Sequence, residues 1–289
     1  MKNTFHLSPA RLVASVVTAL SVAALLSVGC TPRKASEAKI SIFCDHIETM
    51  AHQEGLPFAE VCQRLWDLGY RGADVRVFQN PESIRVLDSL GFAHACAITD
   101  IDYSKGEQKD LEDKTLAFMK EHSYKNLLLV PGLVGKDATG EDRDAIRGRI
   151  AAFTKRASDL GYRVMVEDFD NPRSICFNTA CLDSLFSCSD KLGLVFDTGN
   201  FLFAGDDALS SLSQFSSRVG HVHLKDRVSA EDMTCTPSGD GCIPTAQIIS
   251  TLKGQGYDGW YTIEQYGSRQ MLPDCSKAIA NVKAFLQAK

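Results

Sequence analysis

No Cys-x-x-Cys pair occurs anywhere in these 289 residues, although the chain carries 10 cysteines. That removes the zinc ribbon and the dithiol redox centre from consideration. There is no basic stripe either: 36 acidic residues stand against 31 basic ones, so nucleic acid is not an expected partner. After the first strand-like run the chain reads Phe43-Cys44-Asp45-His46, with no glycine-rich phosphate loop. An open, doubly wound dinucleotide-binding sheet would usually show one there. Composition does not break between residues 40 and 289, which argues for one domain over that span.

The amino terminus carries an address. Met1 to Arg11 contains Lys2 and Arg11 and no acid, and Leu12 to Val28 is an apolar stretch rich in Val, Ala and Leu. Gly29 and Cys30 close it, the pattern of a bacterial lipoprotein signal over residues 1–29. An apolar stretch of about 17 residues is marginal for spanning a bilayer. On this reading Cys30 is lipidated and residues 30–39 form a polar tether. The protein is exported, is held to a membrane only through that lipid, and faces the periplasm. The mature chain then has 29 basic and 36 acidic residues, a net charge of −7.

In an exported protein some of the remaining cysteines are expected to pair. Cys235 and Cys242 flank a loop rich in Pro, Ser and Gly and form the expected bridge, and Cys176, Cys181 and Cys188 offer material for another. Cys44 and Cys96 lie in strand-like runs and are expected as buried thiols.

Strand and helix signals alternate along residues 40–289. Strand-like runs cover Ile40 to Cys44, Gly72 to Phe78, Phe92 to Thr99 and Leu127 to Val130, followed by runs ending at Glu167, Asp197, His223 and Glu264. Between them apolar residues recur at helical spacing: Phe58, Val61, Leu65 and Leu68 before Gly69, or Ile146, Ile150, Phe153 and Leu160. A closing helix would bury Ile279, Val282, Phe285 and Leu286. Eight strand–helix repeats predict an α/β fold, a single (β/α)8 TIM barrel.

The last four runs carry the chemistry. Val164-Met165-Val166 leads to Glu167, Leu194-Val195-Phe196 to Asp197, Val219 to Val222 to His223, and Trp260 to Ile263 to Glu264. In a parallel barrel all strand C-termini open on one face, so these four side chains converge. Any one of them could serve only as a cap, a turn residue or a core histidine, and strand alternation alone does not separate His221 from His223. Three carboxylates and one imidazole suit Mn²⁺, Mg²⁺ or Co²⁺ better than structural zinc. Such an ion acts as a Lewis acid, stabilising the enediolate formed when a proton leaves the carbon beside a carbonyl. A carboxylate at its edge can remove that proton and a second can return it.

These motifs carry a resemblance. Val166-Glu167, Phe196-Asp197-Thr198-Gly199-Asn200, His221-Val222-His223-Leu224-Lys225-Asp226, Gly239-Asp240-Gly241 and Gly256-Tyr257-Asp258-Gly259-Trp260 with Ile263-Glu264 resemble the xylose-isomerase-like TIM barrels. Within them, the likeness is to the sugar phosphate isomerase/epimerase group. It covers residues 40–289 and is strongest after residue 160. The resemblance implies Glu167, Asp197, His223 and Glu264 as metal ligands, prefers His223 over His221, and makes Glu167 and Glu264 the acid/base pair. It also places Lys225 near the substrate.

The chain departs from the family pattern at three positions. Asn200 stands where many members have His, Asp168 where Asn is common, and Asp74 where Glu is frequent. Asn200, His46 and His94 are further candidates for substrate contact, and Asp74, Arg76 and Asp100 lie near strand ends. AP endonucleases resemble the same barrel but need a His-rich three-metal cluster. Only six histidines follow the signal, so DNA repair is set aside.

Sugar phosphates are largely cytoplasmic, so an exported member is expected to act on a free sugar or keto-sugar. The leading expectation is a divalent-metal-dependent isomerase or epimerase. A keto-sugar lyase or hydratase (dehydratase) begins with the same proton abstraction, and a non-catalytic carbohydrate-binding lipoprotein is the weakest alternative. Oligomeric state is not legible.

Overall fold

The computed structural model describes residues 38–288; the signal, Cys30 and the tether up to residue 37 lie outside the described residues. Eight parallel strands close into a barrel in the spatial order β1-β8-β7-β6-β5-β4-β3-β2. They are β1 (Ile40–Phe43), β2 (Gly72–Arg76), β3 (Ala93–Asp100), β4 (Asn126–Val130), β5 (Arg163–Glu167), β6 (Gly193–Asp197), β7 (Val219–Leu224) and β8 (Tyr261–Ile263). Around them run α1 (Cys44–Glu54), α2 (Phe58–Leu68), α3 (Pro81–Leu90), α4 (Lys109–Glu121) and α5 (Gly140–Asp159). The second half adds α6 (Thr179–Phe186), α7 (Phe201–Ala204), α8 (Ala208–Phe215), α9 (Thr245–Gly254) and α10 (Met271–Gln287). No helix among the described residues is long and apolar enough to cross a membrane.

Alternation along each strand sorts side chains between two cores. On β5, Val164 and Val166 join the large apolar layer between sheet and helices. Met165, between them, faces the barrel axis with Phe43, Cys96, Ile98, Leu128 and Val195. Glu167 has the same parity as Met165, so the strand that buries the methionine also delivers the carboxylate inward at its C-terminus. Helix ends are set locally. Gly69 closes α2 at φ +103°, where a side chain would be strained. Thr139 and Asp142 form a capping box at the start of α5.

Three sequence expectations change. Strand β1 stops at Phe43, and Cys44 opens helix α1, which the apolar spacing had not announced. Leu160 is 60% exposed, because α5 ends at Asp159 and Leu160 caps it instead of facing the core. All nine described cysteines are free, so the expected Cys235–Cys242 bridge does not form, nor one among Cys176, Cys181 and Cys188. A short antiparallel ribbon pairs Asp226–Arg227 with Cys235–Thr236, and Cys235 opposes Arg227 in it. The Cys242 N–H donates to the carbonyl of that same Arg227 at 2.8 Å. Arg227 therefore stands between the two cysteines. That puts them about two strand spacings, ~10 Å, apart, beyond the ~7 Å Cα reach of a disulfide. Cys44 and Cys96 are buried thiols, as read.

Asp226 does the work a bridge would have done. Its buried carboxylate accepts backbone N–H groups from Arg227 (2.9 Å), Gly239 (2.9 Å), Gly241 (3.1 Å) and Ile243 (3.0 Å). A Cβ on Gly241 would lie 2.2 Å from the Arg227 carbonyl, so glycine is required for that approach. Asp226→Ala strands these donors and should lower stability by about 2–4 kcal/mol, read as a shift in the urea midpoint. Asp226→Asn keeps one acceptor and should fall between.

Candidate metal centre and active-site cleft

The four strands that end in metal-binding residue types are contiguous in the barrel, β8-β7-β6-β5. Asp197 is the last residue of β6 and sits in register with His223 on β7. Glu167 ends β5, and Glu264 follows β8 directly. Ligand atoms of Glu167, Asp197, His223 and Glu264 all lie within 4.8 Å of one another. The structure thus brings together the whole quartet read from the sequence.

Each ligand is aimed by its neighbours. Asp197 Oδ1 accepts the N–H groups of Gly199 (2.7 Å) and Asn200 (3.0 Å), which leaves Oδ2 turned to the centre. There Oδ2 meets Lys225 Nζ at 3.0 Å. Lys225 also pairs with Glu264 Oε1 (2.6 Å) and donates to Asn200 Oδ1 (2.8 Å). Gly199 permits this approach, since a Cβ there would lie 2.9 Å from Lys225 Cγ. The Asn200 amide in turn donates to the carbonyl of Asp168 at 2.8 Å.

Asp74 decides how His223 is oriented. Its Oδ2 lies 3.2 Å from His223 Nε2 and 2.7 Å from His221 Nε2, and its Oδ1 accepts the Thr262 hydroxyl at 3.1 Å. Ser41 extends the network to Thr262 at 2.6 Å. Burial works against the Asp74 charge, but the two histidines outweigh it and hold its pKa at about 2. An ionised carboxylate only accepts, so His223 Nε2 carries the proton and Nδ1 is left for the quartet. His221 is engaged one layer deeper, by Asp74 and by Thr262 at 2.8 Å.

His223 Nδ1 faces Glu167 Oε1 directly and lies 3.4 Å from Glu264 Oε2. A neutral nitrogen lone pair aimed at two carboxylates is repulsive, so positive charge belongs between them. Burial opposes protonation of His223, yet Glu167, Asp74 and Glu264 raise its pKa well above the ordinary range. Burial also lifts Glu264 to about 8, although Lys225 pulls it down. A hard divalent cation satisfies the same demand, and the oxygen-rich donor set fits one. Burial, with Asp197 and Glu167 next to it, pushes the Asp168 carboxyl well up. Asp168 Oδ1 nonetheless accepts the Asp197 N–H at 2.9 Å and so supports the ligand backbone.

The quartet opens into a cavity of about 280 Å³ whose walls include Phe43, Phe169, Asn200, Lys225, Arg227 and Tyr266. Asn200 and Lys225 line it as read. His46 does not. Because α1 begins at Cys44, His46 turns behind Phe43 and Tyr266 (ring centroids 5.1 and 4.4 Å away), and its Nε2 accepts the Gln265 N–H at 2.8 Å. Burial lowers its pKa to about 3, so it is a neutral prop for the wall. His94 is a correction: it sits at the start of β3, at the end of the strand opposite the cleft. There it pairs with Asp88 at 2.7 Å and stacks on Tyr124. Arg76 lies at the rim between Asp45 and Asp100, each at 2.8 Å.

Sequence reasoning named Asp74 by its place near a strand end but missed its network, as it missed the wall residues Phe43, Arg227 and Tyr266. Strand parity could have found that network, because Asp74 shares the inward face with Ser41 and Thr262.

Fold and site together define a (β/α)8 barrel with a quartet of side chains that could hold a metal ion at its C-terminal face. The chain belongs to the xylose isomerase-like TIM barrel family, whose model matches residues 104–287 and so takes in all four of these residues. It is 33% identical over 101 residues to an inosose dehydratase of Clostridium beijerinckii, a match covering 29% of this chain and 34% of the relative. Against an inosose dehydratase of Bacillus cereus it is 28% identical over 162 residues, 50% of this chain and 54% of the relative. The matches thus span about a third to a half of these curated relatives. The solved D-allulose 3-epimerase of Methylomonas sp. superposes with a TM-score of 0.69 at 14% identity, over 86% of this chain and 98% of that one. At that identity the likeness is one of fold.

Proposed function

We propose that this protein is a divalent-metal-dependent carbohydrate isomerase or epimerase that removes a proton from the carbon beside a carbonyl. The observation that carries the reading is the convergence of Glu167, Asp197, His223 and Glu264 from four adjacent strand ends. Two carboxylates stand at the outer positions of that set. When bound, the ion supplies Lewis-acid polarisation of the substrate carbonyl. Glu167 and Glu264 come from strands separated by β6 and β7, so a carbon held between them presents one face to each. One carboxylate takes the proton and the other returns it. Lys225, shared between Asp197 and Glu264, holds both in position and keeps a cation at the substrate's edge. Phe43, Phe169 and Tyr266 limit water access to the reacting carbon.

A second reading, dehydration of a keto-sugar, is favoured by the sequence relatives, which are inosose dehydratases. It begins with the same abstraction and ends with loss of a β-hydroxyl. The donor set favours Mn²⁺, with Mg²⁺ or Co²⁺ next. Lys2, Arg11, the apolar run to Val28 and Gly29-Cys30 support export as a lipoprotein held to a membrane by Cys30 and facing the periplasm. That address favours a free sugar or keto-sugar as substrate.

The test is elemental analysis of the purified protein, followed by incubation of the Mn²⁺-loaded form with free and 3-keto sugars in D₂O. Deuterium at one carbon of an intact sugar is the expected result, and a dehydrated product selects the second reading. Protein that binds no metal and exchanges no proton overturns both.

A further inference from the structure

Three cationic side chains besides the histidine line the cleft, and two of them are matched by carboxylates. Lys225 is engaged by Asp197 and Glu264, and Arg76 by Asp45 and Asp100. The third, Arg227, has no ion-pair partner among the described residues. It is also only 8% exposed. Its Nη1 donates to the Met233 carbonyl at 3.0 Å, and its guanidinium lies 5.4 Å from the Phe203 ring centre. Its Nε is enclosed with no acceptor, and the Met233 carbonyl is the only hydrogen-bond partner of its guanidinium among the described residues.

A buried charge without a counter-ion is costly, and proteins retain one where something else neutralises it. The loop contact at Met233 and the Phe203 ring account for one face and one nitrogen. They do not account for the charge or for the other donors. Nη1 points to the loop and Nε is closed off from solvent, which leaves Nη2 as the guanidinium donor that can meet a ligand in the cavity. A guanidinium held in this way makes a strong charge-assisted hydrogen bond to a carboxylate. The position is held firmly: Arg227 lies in the ribbon that Asp226 fastens, and its own carbonyl receives Cys242 N–H at 2.8 Å.

We infer that Arg227 binds an anionic group of the substrate, and that the natural substrate is a carboxylated sugar, an aldonate- or uronate-type acid. This rests on the carbohydrate reading above and names its substrate class. The reacting carbonyl lies at the quartet and the carboxylate at Arg227, in the same cavity. Arg227 is then a specificity-determining residue and takes no part in the proton transfer.

D-Gluconate and sorbitol differ in a terminal carboxylate and are otherwise closely matched, which makes them suitable probes. Calorimetric titration of the Mn²⁺-loaded full chain should show gluconate binding at least about tenfold more tightly than sorbitol. Arg227→Met should remove that preference and leave sorbitol within about twofold of its original affinity. Arg227→Lys, which keeps the charge and can still reach the loop, should retain part of the preference. Equal affinities in the unmodified protein overturn the inference without any variant. A preference that survives Arg227→Met also overturns it, because the carboxylate is then held elsewhere in the cavity. If sorbitol binds and gluconate gains nothing, this inference fails and the carbohydrate reading stands. If metal binds and neither polyol does, the carbohydrate reading fails with it.

Discussion

Glu264→Gln should lower turnover by about a thousandfold or more while leaving the thermal midpoint and the circular dichroism spectrum close to those of the parent. Glutamine keeps the shape and a carbonyl oxygen for the 2.6 Å contact with Lys225. It loses the ability to take a proton and one negative charge from the donor set. General acid–base catalysis is worth about 10²–10⁴-fold, and a weakened ligand adds to that loss. Undiminished activity would sink the assignment. Metal content should be measured on the same sample, because a variant that keeps its ion and loses turnover separates proton transfer from ligation. Solvent deuterium exchange should fall in parallel with turnover.

The second large effect belongs to a residue that touches no substrate. Asp74→Asn should weaken metal binding about 10–100-fold, measured by competition with a chelating dye. The carboxylate fixes which nitrogen of His223 faces the quartet, and an amide can present a donor where an acceptor is needed. Asp74→Leu goes further. It leaves two imidazole N–H groups and the Thr262 hydroxyl without their acceptor, and should cost about 3–5 kcal/mol in urea unfolding. The pH dependence has a definite sign. With its carboxyl held at about 2, against about 3.9 for an unfolded Asp, Asp74 stabilises the fold above pH ~4. That contribution disappears as pH falls toward 2. Acid unfolding of Asp74→Asn should therefore be flatter in that window than that of the parent.

The barrel and its quartet were readable because both rest on short-range regularities. Period-two alternation on β5 to β8 puts Met165 with Glu167 and His221 with His223, and a parallel barrel leaves its strand ends only one place to go. What escaped depends on where an element begins. His94 lay close to a strand end, but to the first residue of β3 and not the last, so proximity in sequence carried the wrong sign. His46 was shifted behind the wall when α1 began at Cys44, two residues earlier. The Cys235–Cys242 expectation failed because an intervening ribbon residue, Arg227, is invisible to loop composition. Arg227 itself looked like any charged residue after a strand. Its burial without a counter-ion among the described residues emerges only when the ribbon folds over it.

All four ligands come from β5 to β8, whereas the rim opposite them is built by Asp45, Arg76 and Asp100 from the first three strand–helix units. The quartet and this part of the rim thus come from separate stretches of the chain, with Asp74 the link between them. Mutation in the early loops can alter which molecules enter while the reacting atoms keep their places. Laboratory recombination has the same opportunity if Asp74 is retained: grafting residues 44–110 of a relative around that carboxylate exchanges this part of the rim and leaves the support of His223 in place.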